Sequence, residues 1–332
     1  MKIFNRIEGE VPYATLAELS AYTAEAIAKF GEATFDEVIQ LTILREKLYQ
    51  ESALMAASTD VIQTRAMDRI EAQIFSPGDT AVQVTYPVPP ESIAPTERKE
   101  PIQYFLKKVD LDMAETRYFL SNDAKLRGAY EWLREDTVSR AIEHMAETRD
   151  EHVLSSLITQ HYSTNDVAAT ATWASASATP ENDVAKVISN IIKNSNINTA
   201  QINKSPAFAV IIPAAAFMGI TKIKLLENIT QKIQNFIETS YKVRIVLSRK
   251  PLFKTSWPVD TEAIVLPIQD KNIGYLATFD GGGIIPAQEI EKNSRGEDHY
   301  IRQWYKWVGI PYPNDGVTTT NRRIGLITGV AA

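Results

Sequence analysis

Cysteine is missing from all 332 positions of the chain. That excludes a disulfide framework, a thiol nucleophile and thiolate metal sites. It leaves the redox compartment open, because a chain without thiols is indifferent to it. Histidine is scarce as well, with only His144, His152, His161 and His299, so few side chains can exchange protons near neutral pH. There is no basic excess: 35 Lys+Arg stand against 41 Asp+Glu, a net charge of −6, which argues against general polyanion binding. No uninterrupted apolar run approaches roughly 18 residues, so no membrane span is expected. The opening Met1-Lys2-Ile3-Phe4-Asn5-Arg6 has no apolar stretch behind it, so no secretory signal is expected. No internal repeat is present. These absences leave a poor toolkit for an enzyme.

What is present has globular proportions. Hydrophobic residues at 44% and charged residues at 23% allow a sizeable core, and the length allows one large domain or two ordinary ones. Thr34-Phe35-Asp36-Glu37 is a capping box. It opens a helix of about 20 residues carrying Leu41, Leu44, Leu48 and Met55 on one face, and Ala14 to Phe30 repeats the pattern more weakly. Residues 81–88 and 102–111 read as two strands of a hairpin. Pro87, Pro89, Pro90, Pro95 and Pro101 surround its tip, along with Glu91, Glu97, Arg98, Lys99 and Glu100. Proline cannot donate to a ladder, so the tip is expected to be extended and partly unpaired, a polar arm that reaches a neighbour. Pro87, Pro89, Pro90, Pro95, Arg98 and Lys99 are the candidate intersubunit contacts.

Residues 127–159 carry the clearest periodicity. Tyr130, Leu133, Thr137, Ala141, Met145, Thr148, His152 and Ser156 recur at three or four, with Ala141/Ile142 and Val153/Leu157 widening the stripe. No proline interrupts it and Gly128 sits at its start, so the spacing predicts one helix of roughly 50 Å, a strut more than a core filler. Residues 163–178 read as a small-residue loop. Thr179-Pro180-Glu181 then starts a helix with the apolar face Val184, Val187, Ile188, Ile191 and Ile192. A strand over 207–212, a helix over 223–238, a strand over 241–248 and strands near 262–266 and 274–279 complete a compact α/β module. The last segment is β-rich: 284–291, a turn over 293–298, a long strand 299–309, the turn Asn314-Asp315-Gly316 and a closing strand 322–330.

Four constellations could carry chemistry, and each has a plainer explanation. Glu143, His144, Glu147, Glu151 and His152 lie on the long helix, but a carboxylate-bridged di-metal site needs Glu three residues before His. Ala141 and Arg149 stand there instead, so the expectation is a solvated face or polar contacts between subunits. Gly281-Gly282-Gly283 follows a strand without the Lys-Ser/Thr of a phosphate loop. Serines crowd 163–178 without a G-x-S-x-G elbow. Trp304, Tyr305 and Trp307 with Arg302 and Lys306 could stack single-stranded nucleic acid, but sheet packing accounts for them, with Trp304 facing opposite to Tyr305 and Trp307.

The order of elements resembles the Hong Kong-type fold of tailed-phage major capsid proteins, shared by encapsulin shells. The likeness covers most of the chain from about residue 60 onward and rests on order and texture. Its closest stretch is 105–158, where the strand FLKKVDLDMAE passes through the link TRYFLSNDAKLRG into an acid-rich helix ending ETRDEHVLSSLI. Residues 179–218 look like the helix and strand that open the family's axial domain, and 284–310 like the return into its peripheral domain. Two departures favour a viral protein over an encapsulin: more helix in the first 60 residues and a longer chain.

The resemblance implies an α+β capsid fold with an N-terminal arm (1–60), an extended loop hairpin and lead-in (61–111), a peripheral domain (112–178) with the spine helix 127–159, an axial domain (179–279) and a β-rich return (280–332). It implies a structural subunit, not an enzyme, that self-assembles into an icosahedral shell around a genome. The alternative is an encapsulin nanocompartment that packages a cargo enzyme. The implied partners are copies of the chain in pentamers and hexamers, a scaffold, portal or cargo protein, and nucleic acid held without sequence-specific binding. No membrane, metal or cofactor is implied. The implied location is a virion capsid assembled in the host cytoplasm, or the cytoplasm for an encapsulin. Some members of the family join a loop lysine to a peripheral asparagine. Lys99 is the loop lysine here and Asn314 and Asn321 are the acceptor positions, although no signature requires that chemistry. An α/β enzyme centred on 180–278 is the rival of a different class; with no histidine or cysteine there, its catalysis would rest on carboxylates or lysines alone.

Overall fold

The computed structural model describes residues 61–67, 71–77, 104–121, 130–226, 229–251, 254–279, 287–293, 296–312 and 318–331. The helices expected over 14–30 and 34–55, the strand over 81–88, the glycine triplet 281–283 and the turn 314–316 lie outside these residues.

Two five-stranded sheets and one long helix organise the described chain. In the first sheet β1 (Gln63–Met67) runs parallel to β11 (Gly274–Phe279), which pairs antiparallel with β13 (Gly296–Gly309). β13 also takes β12 (Ala287–Asn293) and β4 (Asp112–Ser121) as antiparallel partners, so its 14 residues are the hub of the sheet. The second sheet has the order β5 (Val167–Ala168), β14 (Gly325–Thr328), β10 (Ala263–Pro267), β6 (Phe208–Pro213), β9 (Val243–Ser248). Two hairpins stand apart: β2 (Glu71–Pro77) with β3 (Tyr104–Asp110), and β7 (Ile223–Leu226) with β8 (Ile229–Lys232).

All six positions of β6 are buried, because both faces of the second sheet are covered. Alternation along the strands separates the two cores. Ala209 and Ile211 of β6, with Ile264 and Leu266 of β10, face a core that also holds Leu276, Tyr305 and Trp307 of the first sheet. Phe208, Val210 and Ile212, with Ala263 and Val265, face the opposite core under three helices: α2 (Pro180–Asn194), α4 (Ala214–Ile220) and α5 (Ile233–Ser240). A short turn of helix, α3 (Thr199–Ile202), leads into β6. Val184, Val187, Ile188 and Ile191 are the buried face of α2, while Ile192 is exposed.

The long helix, α1 (Tyr130–Thr159), has 30 residues and so runs for about 45 Å. Its buried stripe is Ala141, Met145, Ala146, Arg149, Asp150, Val153, Leu154 and Leu157. Val153 and Leu157, expected at the margin, are at the centre, and Thr148 is exposed, its Oγ1 donating to the carbonyl of His144. The buried stripe follows the apolar Met145, Ala146, Val153, Leu154 and Leu157, which leaves polar Thr148 outside it.

Four expectations are corrected. The helix expected over 223–238 is the β7–β8 hairpin followed by α5, since Ile223, Ile229 and Thr230 favour strand and the helix starts only at Ile233. The link expected over 116–128 is strand as far as Ser121, held by β13 along its whole length. The strand expected over 102–111 runs from Tyr104 to Asp110 and pairs with 71–77, a partner the sequence pattern did not name; its expected partner 81–88 lies outside the described residues. Finally, β11 belongs to the first sheet while β14 and β5 join β10 in the second, so strands cross the expected boundary at residue 279.

Candidate functional site

Of the chemistry-bearing side chains of the long helix, His152 lies in the seam with β13, while Glu143 and His144 are exposed. The Nε2 of His152 accepts a hydrogen bond from the Trp307 backbone N–H at 3.3 Å, and its ring meets Tyr305 edge-on at 6.0 Å. Burial holds His152 below the ordinary imidazole range, with Lys306 adding to the effect and Asp112 opposing it. Burial also pushes the Tyr305 hydroxyl up to about 12. An imidazole that accepts from a backbone amide is neutral and has one nitrogen spent. Glu151 pairs with Lys254 at 2.7 Å, and Lys306 with Asp112 at 3.1 Å. Glu147 is raised by burial first and by the neighbouring charge of Glu143 second. Among the described residues no three His, Asp or Glu side chains converge as a metal site would require.

The aromatic residues of β13 are packing residues. Tyr305 and Trp307 are buried in the core shared by the two sheets, and Trp304 packs on the opposite face with Tyr275 and Val308. They are therefore not free to stack bases.

Two polar nodes pin loops that the sequence leaves unmarked. At one end of the second sheet, buried Arg323 pairs with buried Asp270 through Nη1, donates from Nη2 to the Asn196 carbonyl and stacks on Tyr312 at 4.4 Å. Asn321, one of the two expected cross-link acceptors, sits beside it. Its amide nitrogen donates to the carbonyls of Asn272 and Ile310, and its oxygen accepts from the Arg323 N–H. With every polar atom of its side chain engaged and the residue fully buried, Asn321 is structural. At the other end, Trp173 is 1% exposed and donates from Nε1 to Asp183 Oδ2 at 3.2 Å, while Thr170 donates to Asp183 Oδ1 at 2.9 Å. The ammonium of Lys222 reaches the carbonyls of Ala174 and Ser175 at 2.6 and 2.8 Å. The small-residue segment is thus tied to α2 and to the start of β7.

What remains outside is contact surface. β9 ends the second sheet, and among the described residues no strand pairs with its outer edge. Large apolar side chains stand in solvent nearby: Met218 is 69% and Ile223 68% exposed, with Phe217 and Leu247 partly so. Phe217 and Met218 lie in a segment to which the sequence pattern assigns no element, and Ile223 stands at the start of the helix expected over 223–238. The concavity between Val61, Ile62, Leu266, Ile273 and Trp307 has no room for a small molecule. The expected contact residues Pro87, Pro89, Pro90, Pro95, Arg98 and Lys99, and the acceptor Asn314, lie outside the described residues.

No protein-family model matches the sequence, and no curated protein does. Solved structures do. The chain is similar to a virus-like particle from Pyrococcus furiosus, at 7% identity over 87% of this chain and 98% of that one, with a TM-score of 0.54. It is similar to a phage-related protein from Bordetella bronchiseptica, at 11% identity over 88% and 96% of the two chains, with a TM-score of 0.56. It is also similar to the capsid of a native GTA particle, at 10% identity over 85% and 91%, with a TM-score of 0.53. The shared arrangement is the Hong Kong-type capsid fold expected from the order of elements.

Proposed function

We propose that the chain is the major structural subunit of an icosahedral viral shell that encloses a genome. The observation that carries this reading is the shared fold: it spans nearly the full length of a virus-like particle protein and of a GTA capsid protein. The surface supports it. An unpaired strand edge and exposed apolar residues are liabilities in a lone molecule and contacts in an assembly. Closed symmetry follows when a heterologous contact repeats with a rotation that closes.

On this reading the partners are copies of the chain in pentamers and hexamers, helped by scaffold and portal proteins, in a virion assembled in the host cytoplasm. The first sheet with α1 is the peripheral part, and the second sheet with α2, α4 and α5 is the axial part. Residues 81–108, with Pro87, Pro89, Pro90, Pro95, Arg98 and Lys99, are the arm that overlaps an adjacent subunit. The enclosed nucleic acid is held without sequence-specific contacts, consistent with the net charge of −6. Among the described residues no helix is long and apolar enough to cross a membrane.

Light scattering of the purified chain across salt and pH tests the proposal. A shell subunit yields large particles under some of these conditions; a species that stays monomeric under all of them contradicts it. The encapsulin alternative uses the same surfaces and differs in content. Small uniform particles with a co-purifying protein and no nucleic acid would favour it, and boiling in detergent would reveal covalent ladders if Lys99 were cross-linked.

A further inference from the structure

We infer that one end of the second sheet is a binding surface for the sugar-phosphate backbone of duplex nucleic acid. The net charge of −6 hides a division along the chain. From α2 through β9, residues 180–248 hold eight Lys or Arg against four Asp or Glu, while the remaining residues hold 27 against 37. The distribution of charge, more than its sum, decides whether a chain meets a polyanion. Lys186, Lys193, Lys204 and Lys242 of this region, and Lys271 of an adjoining turn, are exposed. None of the five side chains is paired with another among the described residues.

The fold gathers these lysines. The Ala207 N–H donates to the Lys242 carbonyl at 2.7 Å and the Ile268 N–H to the Ala207 carbonyl at 3.0 Å, so β6 and β9 begin where β10 ends. Gln201 donates from Nε2 to the Ile268 carbonyl at 2.6 Å, and Arg323 donates to that of Asn196, which fastens the 195–206 loop to the same end. Lys204 lies in that loop, Lys242 enters β9, and Lys271 is in the turn that follows β10. Lys193 is in the last turn of α2, just before the loop. Lys186 stands two turns earlier, about 10 Å along the axis, on an exposed stripe shared with Asn182 and Ser189. Arg322, exposed over the Tyr162 ring, adds a guanidinium nearby.

Among the described residues, carboxylates are withdrawn from this surface. Glu181 and Asp183 open α2 but are buried and spent, Glu181 on Lys224 and Asp183 on Trp173 and Thr170. Asp270 is buried against Arg323, and Asp166 is held by His161 and the Leu326 N–H. Glu238 of α5 accepts from Gln234. The exposed neighbours are neutral instead, with Asn203 and Ser205 flanking Lys204. Lysine interleaved with asparagine and serine is the set that contacts phosphate and sugar and reads no base. No aromatic ring lies among them to stack unpaired bases, which favours a duplex over a single strand. An acidic protein fits less well, because interface centres are depleted in lysine. The apolar side chains that would anchor one, Met218 and Ile223, follow the opposite end of β6. Where the chain builds a shell, the duplex is the enclosed genome; that identification rests on the shell reading, and the binding surface does not.

Fluorescence anisotropy of a labelled, mixed-sequence DNA duplex tests it, at chain concentrations where light scattering shows no particles and between about 50 and 200 mM salt. For the native chain the logarithm of affinity should fall against that of salt with a slope of about −4.5. Lys193→Gln/Lys204→Gln/Lys242→Gln should lose about 2.7 of that slope and bind about tenfold more weakly, or worse, at the lower salt. Lys186→Gln/Lys271→Gln should lose about 1.8 of it, and decides the matter if the triple variant does not fold. Lys108→Gln/Lys250→Gln/Lys306→Gln removes the same charge from elsewhere and should keep the native slope. No binding by the native chain at the lower salt would overturn the assignment. So would equal losses in the two triple variants, or tighter binding of polyglutamate or of a single strand than of the duplex. Particle formation is measured separately, so a failure here and a failure of the shell reading are told apart.

Discussion

Trp173 shows how much a single side chain holds in this chain. It lies in a run of small residues, is buried against α2 and spends its N–H on Asp183. Replacing it with alanine should cost about 3–5 kcal/mol, and replacing it with phenylalanine about 1–2 kcal/mol through the unmade bond to a buried carboxylate. Urea unfolding midpoints would show both. His152 makes a second point, with a definite sign. Burial lowers its proton affinity in the folded chain below that of the unfolded chain. The unfolded chain therefore binds more protons as pH drops below about 6.5, and stability, complete above that value, is lost on the acid side. The ring is still partly reached by solvent, so the loss attributable to it between pH 7.5 and pH 5.5 should be only about 0.5 kcal/mol. His152→Gln, which keeps an acceptor for the Trp307 amide, should remove that portion from a comparison of midpoints at the two pH values.

Elements were legible where a period was strong and the chain unbroken. The 30-residue helix, β11 and most of β13 stand where the pattern placed them, because glycine and proline are excluded from the first and alternation marks the others. The β7–β8 hairpin was misread because apolar residues at 223, 225, 226 and 229 fit a helical face as well as two short strands. Strand partners were less visible still: nothing local says that 104–110 pairs with 71–77, since register is a non-local property. The polar nodes at Asp270 and Asp183 were invisible for the same reason, as Arg323 and Trp173 reach them only through the fold. Packing between elements leaves one mark that can be tested. A β-carbon on Gly219 of α4 would lie 2.2 Å from the Trp173 carbonyl oxygen, which is backbone and cannot swing aside. Gly219→Ala should therefore destabilise by about 1–3 kcal/mol, and a thermal melt should show the drop.

At the scale of the whole molecule, the scarcity of histidine and the absence of cysteine fit a chain whose buried polar groups serve joints between elements. Its outward features are an edge of β9 with no strand partner among the described residues and apolar side chains at Met218 and Ile223. Charging that surface with Met218→Asp and Ile223→Asp should leave the fold within about 0.5 kcal/mol per site, as exposed substitutions usually do. The same double variant should suppress assembly, so unfolding and particle formation, measured on one preparation, should separate. Unchanged particle yield would show that these residues lie outside the contacts. The most direct measurement is negative-stain electron microscopy of the purified native chain. A shell subunit gives closed, roughly spherical particles of uniform diameter. Fields of isolated subunits, or only irregular aggregates, under every assembly condition tried would contradict the shell reading.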